Sequence, residues 1–315
     1  MNIVSILQVA VRLAGPILLV AMGGLLAQKA NIFNLALEGF MLVSCFTSVL
    51  GAYLLHDPWW GILFGMLASV LFILVYAVFI LELRADPVIC AIAIITLASG
   101  ITRFLCEPVF GKSGRFELPA SMAVPAVELG WLGRIPVLGT ILNGQSVLIY
   151  VALIAPFVLH FVIYRTNFGL SLRAVGLNEE AAQAAGIRVK AVKYTALLLN
   201  GVFCGLGGAQ LALSVYMFNM DMTDGRGFIA LAAVVLANGQ PLLVFLAAML
   251  FGIADSIKVS LSKYAVSSYL LQTIPYLMAI LAAVLPFLIR RAANSMKQKN
   301  AQKRLIGAYY EDRGQ

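Results

Sequence analysis

Apolar runs too long for a soluble helix decide what this chain can fold into. Stretches 4–27, 34–55, 59–82, 88–105, 146–164, 192–214 and 268–289 are each predominantly apolar. Each approaches the roughly 20 residues that carry a helix across a bilayer core of about 30 Å. Lipid offers no hydrogen-bond partners, so a spanning backbone must satisfy itself, and a helix does so within one segment. An eighth apolar stretch, 228–257, is interrupted at Asn238-Gly-Gln-Pro241. A single helix would have to absorb Gly239 and Pro241, so the break predicts a hairpin of two short or tilted helices. The reading is an all-α, polytopic integral membrane protein with about 8–10 transmembrane helices. Its permeating body would cover residues 1–289, followed by a basic tail over 290–315. Only 11% of the residues are charged and 62% are hydrophobic, against about a quarter charged in soluble domains. No Lys or Arg precedes the first apolar run and Arg12 lies inside it, so that run reads as a span and not a cleaved signal.

The formal net charge of +8 reports topology, not nucleic-acid binding. With 165–193 and the tail in the cytoplasm, fourteen Lys and Arg fall inside and seven outside, the asymmetry that sets membrane orientation. The first residue then starts outside. The segment 106–145 becomes the longest outer loop, and the basic tail would touch lipid headgroups.

The longest polar stretch between spans is Arg165–Lys190. Asn178 can accept a backbone N–H at a helix start, where Glu179 and Glu180 meet the favourable end of the dipole. Ala181, Ala182, Ala184 and Ala185 are strong helix formers, and Gly186 can close the helix in the left-handed conformation. A short helix with a small face and basic flanks, suspended between spans, is suited to being gripped from the cytoplasm.

Two further stretches hold polar groups where lipid would penalise them. In Ala30–Met41, Asn34 and Glu38 would share one face of a helix at i, i+4. Glu38 is an acidic residue inside a span, only a turn from its cytoplasmic boundary, for which function is the default reading; a hydrogen bond to a neighbouring helix end near the cytoplasmic surface is the equal alternative. In Asn219–Ala230, at the outer end of the expected hairpin, Asp224 and Arg226 can pair locally. Gly225 and Gly227 permit close backbone approach, and the amides at the following helix start could meet an electronegative group. Asn200 and Gln210 are polar positions inside a span, suited to lining a path or to bonding another helix. Gly23-Gly24 and Gly207-Gly208 echo one another in spans of opposite direction, a pattern compatible with an inverted repeat.

Cys45, Cys90, Cys106 and Cys204 lie in or beside apolar runs without ligand spacing, and there are only two histidines. A metal centre or a nucleophilic triad is not expected. The sequence contains no Gly-x-x-x-x-Gly-Lys-Ser/Thr loop, so ATP hydrolysis is not expected of this chain.

Ala30–Leu42, Phe168–Ile187 and Met222–Ala233 together resemble the three signatures of ABC importer permeases of the simple-sugar, nucleoside and branched-chain amino acid branch. The form Asn34-Leu-Ala-Leu-Glu-Gly39, with Gly225-Arg-Gly-Phe228, is most similar to the nucleoside and purine permeases. The resemblance implies a multi-pass protein of the bacterial cytoplasmic (inner) membrane. It also implies a cytoplasmic ABC ATPase dimer that binds the ATP, this chain needing no cofactor of its own. A second permease subunit, often a paralogous chain, and an extracytoplasmic substrate-binding protein complete the assembly. Segment 173–187 would be the coupling helix, with Arg173, Gly176, Asn178, Glu179, Ala182 and Gly186 as its coupling residues. Asn34, Glu38, Asn200 and Gln210 would line the path. Two positions depart from the family pattern: Asp224, where a small residue is more usual, and Pro87, in place of a polar residue. The competing reading is an ion-coupled secondary transporter with Glu38 as its titrating group; a simple-sugar or branched-chain amino acid importer is a third.

Overall fold

The computed structural model describes residues 3–111, 114–119, 122, 124–128, 130, 138–262, 273 and 277. The expected span 268–289, apart from two isolated positions, and the tail 290–315 lie outside the described residues, as does Trp131. Seven described helices are long and apolar enough to cross a membrane: α1 (Ile3–Lys29), α2 (Leu37–Leu55), α3 (Pro58–Leu81), α4 (Pro87–Phe110), α6 (Val147–Arg165), α9 (Val189–Ser214) and α11 (Pro241–Leu261). The short helices are α5 (Leu138–Leu142), α7 (Asn167–Leu177), α8 (Glu179–Ala184) and α10 (Arg226–Leu236).

Helix starts follow local chemistry. Asp57 caps α3 by accepting from the Trp59 N–H at 2.9 Å, with Pro58 in the first turn. Asp86 caps α4 through the Val88 and Ile89 N–H groups at 2.8 and 3.1 Å, again with proline next. Proline has no amide to orphan at that position and its φ suits a helix. The departure at Pro87 is therefore a helix-starting device.

Helix α9 packs against α1, α2 and α3. Its glycines set the spacing. A Cβ on Gly205 would stand 2.5 Å from the Met66 Cα of α3, and one on Gly208 would stand 2.5 Å from the Met41 carbonyl of α2. The close approach brings α2 side chains to α9 carbonyls: Ser44 Oγ donates to Gly205 O at 2.6 Å, and Cys45 Sγ to Gly208 O at 3.3 Å. Lipid supplies little hydrophobic drive between helices, so small residues and such bonds are what hold them. The two echoing glycine pairs mark opposite ends of one contact: Gly23 abuts Asn200 of α9, and Gly207 abuts Pro16 and Val20 of α1.

The described parts of the expected outer loop 106–145 are tied down. Strand β1 (Arg115–Glu117) pairs antiparallel with β4 (Met217–Asn219), and β2 (Ala126–Val127) with β3 (Gln145–Ser146). Phe110 stacks on Phe116 at 4.2 Å, and Phe46 meets Phe218 edge-on at 5.2 Å. Aromatic pairs of this geometry add about 0.5–1.5 kcal/mol each beyond burial.

The expected hairpin over 228–257 is present but unequal. Helix α10 has 11 residues, about 16 Å at 1.5 Å per residue, half a bilayer. Helix α11, with 21 residues, crosses fully. The break falls at 237–240, where Asn238 and Gly239 adopt φ of 52° and 63° and Pro241 starts α11.

Candidate functional site

Segment 165–193, expected on the cytoplasmic side, holds two short helices, not one. Thr166 caps α7 by accepting from Gly169 N–H at 3.2 Å. Asn178 ends α7 in an extended conformation and caps α8, its Oδ1 accepting from Ala181 N–H at 3.0 Å. Gly186, at φ 84°, terminates α8 in the left-handed region, with Ile187 N–H donating to Ala182 O at 3.0 Å. Glu179 is held by Lys193 Nζ at 2.5 Å, and Lys190 Nζ reaches Glu82 at the end of α3 at 2.6 Å. That hydrogen bond, first among the causes, holds the Glu82 carboxyl below its ordinary value. A depressed carboxylate contributes at neutral pH and loses its contribution as pH falls through the lowered value.

Of the six expected coupling residues, three face inward. Ala182 is buried at 4% exposure. Arg173 lies over the Tyr164 ring at 5.3 Å. A Cβ on Gly176 would stand 2.1 Å from the Lys29 carbonyl at the end of α1. Gly176 thus seats α7 on α1, and a Gly176→Ala substitution should destabilise the purified protein by about 1–3 kcal/mol through overpacking. A thermal unfolding scan reads this as a lowered midpoint; an unchanged midpoint would remove the seat. Asn178, Glu179 and Gly186 shape the segment. The surface it presents is Glu180, Ala181, Ala184 and Ala185, all exposed. Beside it opens a cavity of about 860 Å³ lined by Leu81, Arg84, Gln183, Ile187, Arg188 and Lys190, among others.

The four expected path residues are all buried and are not brought to one place. Asn34 is not helical: residues 32–35 have no regular secondary structure, and the Asn34 Oδ1 accepts from Ala36 N–H at 2.9 Å. The expected i, i+4 pair with Glu38 is therefore absent, because this local bond replaces a helical turn. Asn200 Oδ1 accepts from Cys204 Sγ at 3.1 Å and lies against Gly23. Gln210 Oε1 accepts from Ser146 Oγ at 2.7 Å, toward the outer loop.

Glu38 has the most consequential position. Its Oε1 accepts from Gly225 N–H at 3.1 Å and its Oε2 from Gly227 N–H at 2.7 Å. It caps α10 from another helix, at the end where the dipole favours an anion. A Cβ on Gly227 would stand 2.5 Å from the Glu38 backbone, so only glycine admits the approach. The contact corrects two expectations. Glu38 is not at the cytoplasmic boundary, since its neighbour Leu37 packs on Gly24, more than a turn inside Lys29. Nor does the Gly-Arg-Gly turn sit at the outer face, because 220–225 folds back inward after β4 and starts α10 at depth. The other end of α10 returns to Lys29, which a Cβ on Gly239 would approach at 3.2 Å.

Arg226 does not pair with Asp224. Its Nε faces Asp255 Oδ2 of α11 at 3.8 Å, an ion pair too long for a hydrogen bond. Its Nη1 donates to the Met222 and Thr223 carbonyls at 3.2 and 3.3 Å. Asp224 instead meets Lys258 of α11 at 3.1 Å. Asp255 is 3% exposed and was not anticipated. The available signal was a lone carboxylate inside an apolar run.

The sequence matches, over residues 5–289, the family described as Branched-chain amino acid transport system / permease component. The chain belongs to this family. The permease is 34% identical over 299 residues to the guanosine ABC transporter permease protein NupQ of Bacillus subtilis (strain 168), covering 90% of this chain and 93% of that one. It is 33% identical over 301 residues to the nucleoside ABC transporter permease protein NupC of Lactococcus lactis subsp. cremoris (strain MG1363), covering 90% and 94%. It is 30% identical over 259 residues to the putative glucose ABC transporter permease protein TsgC13 of Haloferax volcanii, covering 81% and 77%. No solved structure matches the permease. The seven apolar helices among its described residues and this membership make it a multi-pass membrane transport subunit.

Proposed function

We propose that the permease carries a nucleoside inward across the cytoplasmic membrane as one subunit of an ABC importer. The observation that carries this reading is the similarity along nine-tenths of the chain to permeases named for guanosine and for nucleosides. A cytoplasmic ATPase dimer binds and hydrolyses ATP, a second permease subunit closes the path, and an outer binding protein delivers solute. The exposed face Glu180, Ala181, Ala184 and Ala185 supports an ATPase contact, because small side chains let another surface come close. Lys193–Glu179 ties α8 to α9 and Lys190–Glu82 ties α9 to the end of α3, which supports transmission of a push on α8 to the spans. Rigid-body rocking of packed helices is the ordinary way such a push opens alternate faces. Asp255 and Glu38 sit in the same region as Arg226, but Glu38 is occupied by two amides, which favours ATP over an ion gradient as the driving force.

The test is uptake of radiolabelled guanosine, glucose and leucine by cells carrying the permease with its ATPase, partner permease and binding protein. Saturable guanosine uptake that vanishes when the permease is deleted is expected. Uptake of glucose or leucine without guanosine would overturn the assignment.

A further inference from the structure

Helix α4 carries a feature that lipid does not tolerate. Arg103 pairs with Asp221 of the inward-folding segment, and Ser99 Oγ approaches the same carboxylate at 3.5 Å. The two charged side chains are 53% and 56% exposed. Gly39 of α2 abuts Ile95 of α4, and the two helices run in the same direction. Arg103 therefore lies level with Thr47, about 12 Å short of the outer end of α2 at 1.5 Å per residue. An exposed ion pair at that depth would be costly against hydrocarbon, so it faces water or a second subunit and not lipid. The contrast is α3, whose exposed face is Leu67, Leu71, Val75, Val78 and Phe79.

Beside the pair runs an open groove of about 610 Å³ lined by Ala93, Thr96, Leu97, Gly100, Ile101 and Phe104. Nothing stands within 4 Å of a Cβ placed on Gly100, and Phe104 is 76% exposed. The groove is apolar with a donor and an acceptor at its rim. In the segment that carries the carboxylate, Asp221 holds a φ of 57°, a left-handed value that costs free energy.

Resting on the nucleoside reading above, we propose that Ser99, Arg103 and Asp221, with the groove at Gly100, form the solute-contacting wall of the path. The pair is neutral overall. It offers guanidinium donors and a carboxylate acceptor to hydroxyls and ring heteroatoms, and the groove offers apolar surface to a flat ring. The class that fits is an uncharged solute with a polar edge and a planar apolar face. A nucleoside is such a solute.

The experiment uses the complete transporter in proteoliposomes with Arg103→Ala, Asp221→Ala and Gly100→Leu. Guanosine uptake and ATPase activity are measured, and assembly is checked by co-purification. The two rim variants should raise KM at least tenfold with maximal rate and ATPase activity within about twofold. Gly100→Leu, at an exposed position with open space, should raise KM without touching the ion pair. Unchanged KM in all three overturns the wall. Loss of the second permease on co-purification also overturns it, assigning the pair to subunit packing. If wild type carries a different solute, the nucleoside reading fails by itself. The same variants then measured on that solute still decide the wall, by a raised or an unchanged KM.

Discussion

Replacing Glu38 with alanine should destabilise the purified permease by about 3–5 kcal/mol and abolish transport. Two bonds from buried amides to one carboxylate are lost, each worth about 1.5–3 kcal/mol when the acceptor is charged. The Gly225 and Gly227 N–H groups then have no acceptor at the start of a helix that begins inside the membrane. Gly227 lies so close to the α2 backbone that even a Cβ there would stand 2.5 Å from Glu38, which leaves no room for water to replace the lost acceptor. Glu38→Gln separates charge from geometry: its amide keeps one acceptor oxygen and turns a donor toward the other N–H. It should recover roughly half of the loss. Thermal unfolding in detergent together with an uptake assay checks both. If Glu38→Ala melts with wild type, Glu38 does not hold α10, and its role reverts to one in the path or in ion coupling.

The second large effect concerns the cytoplasmic face. Ala184→Arg should release the ATPase, lowering its recovery on co-purification at least tenfold, while leaving the permease folded. The choice of residue follows from burial. Ala182 faces its own chain, so an arginine there would disrupt α8 itself, and release would say nothing about a partner. Ala184 is exposed on a helix fixed at both ends by Asn178 and Gly186, so added bulk meets only whatever docks. Retention of the ATPase by Ala184→Arg would place the contact elsewhere on the cytoplasmic side.

Much of the fold was legible because lipid restricts the options. Six of the expected spans coincide with helices to within five residues at either end, and Asp57-Pro58, Asp86-Pro87, Asn178 and Gly186 show why the helices start and stop there. What the sequence concealed was depth. An apolar stretch looks alike whether it crosses fully or returns halfway, so nothing in 217–236 announced that β4 pairs outside and α10 begins at mid-depth. That concealment carried over to the site. Glu38 and the Gly-Arg-Gly turn could be recognised as special separately, but they were assigned to opposite faces. The Asn34–Glu38 pairing failed because an asparagine side chain can satisfy its own backbone at the cost of a helical turn. Local charge proximity misled in the same way at Asp224 and Arg226, which each find partners on α11. The coupling segment was legible in its caps but not in its faces, since a six-residue helix of alanines gives no periodicity from which to read the buried side.

The central claim is that this chain is driven by ATP on another subunit and carries a nucleoside. The most direct measurement is guanosine accumulation in proteoliposomes holding the permease, its partner permease and the ATPase, with binding protein and guanosine outside. ATP is loaded inside, where the ATPase sites face, and ionophores hold every ion gradient at zero. Accumulation that requires ATP hydrolysis and ignores the ionophores is the predicted result. Accumulation without ATP that follows an imposed proton or sodium gradient would contradict it, and would make the buried carboxylates at Glu38 and Asp255 the place to look for the coupling ion.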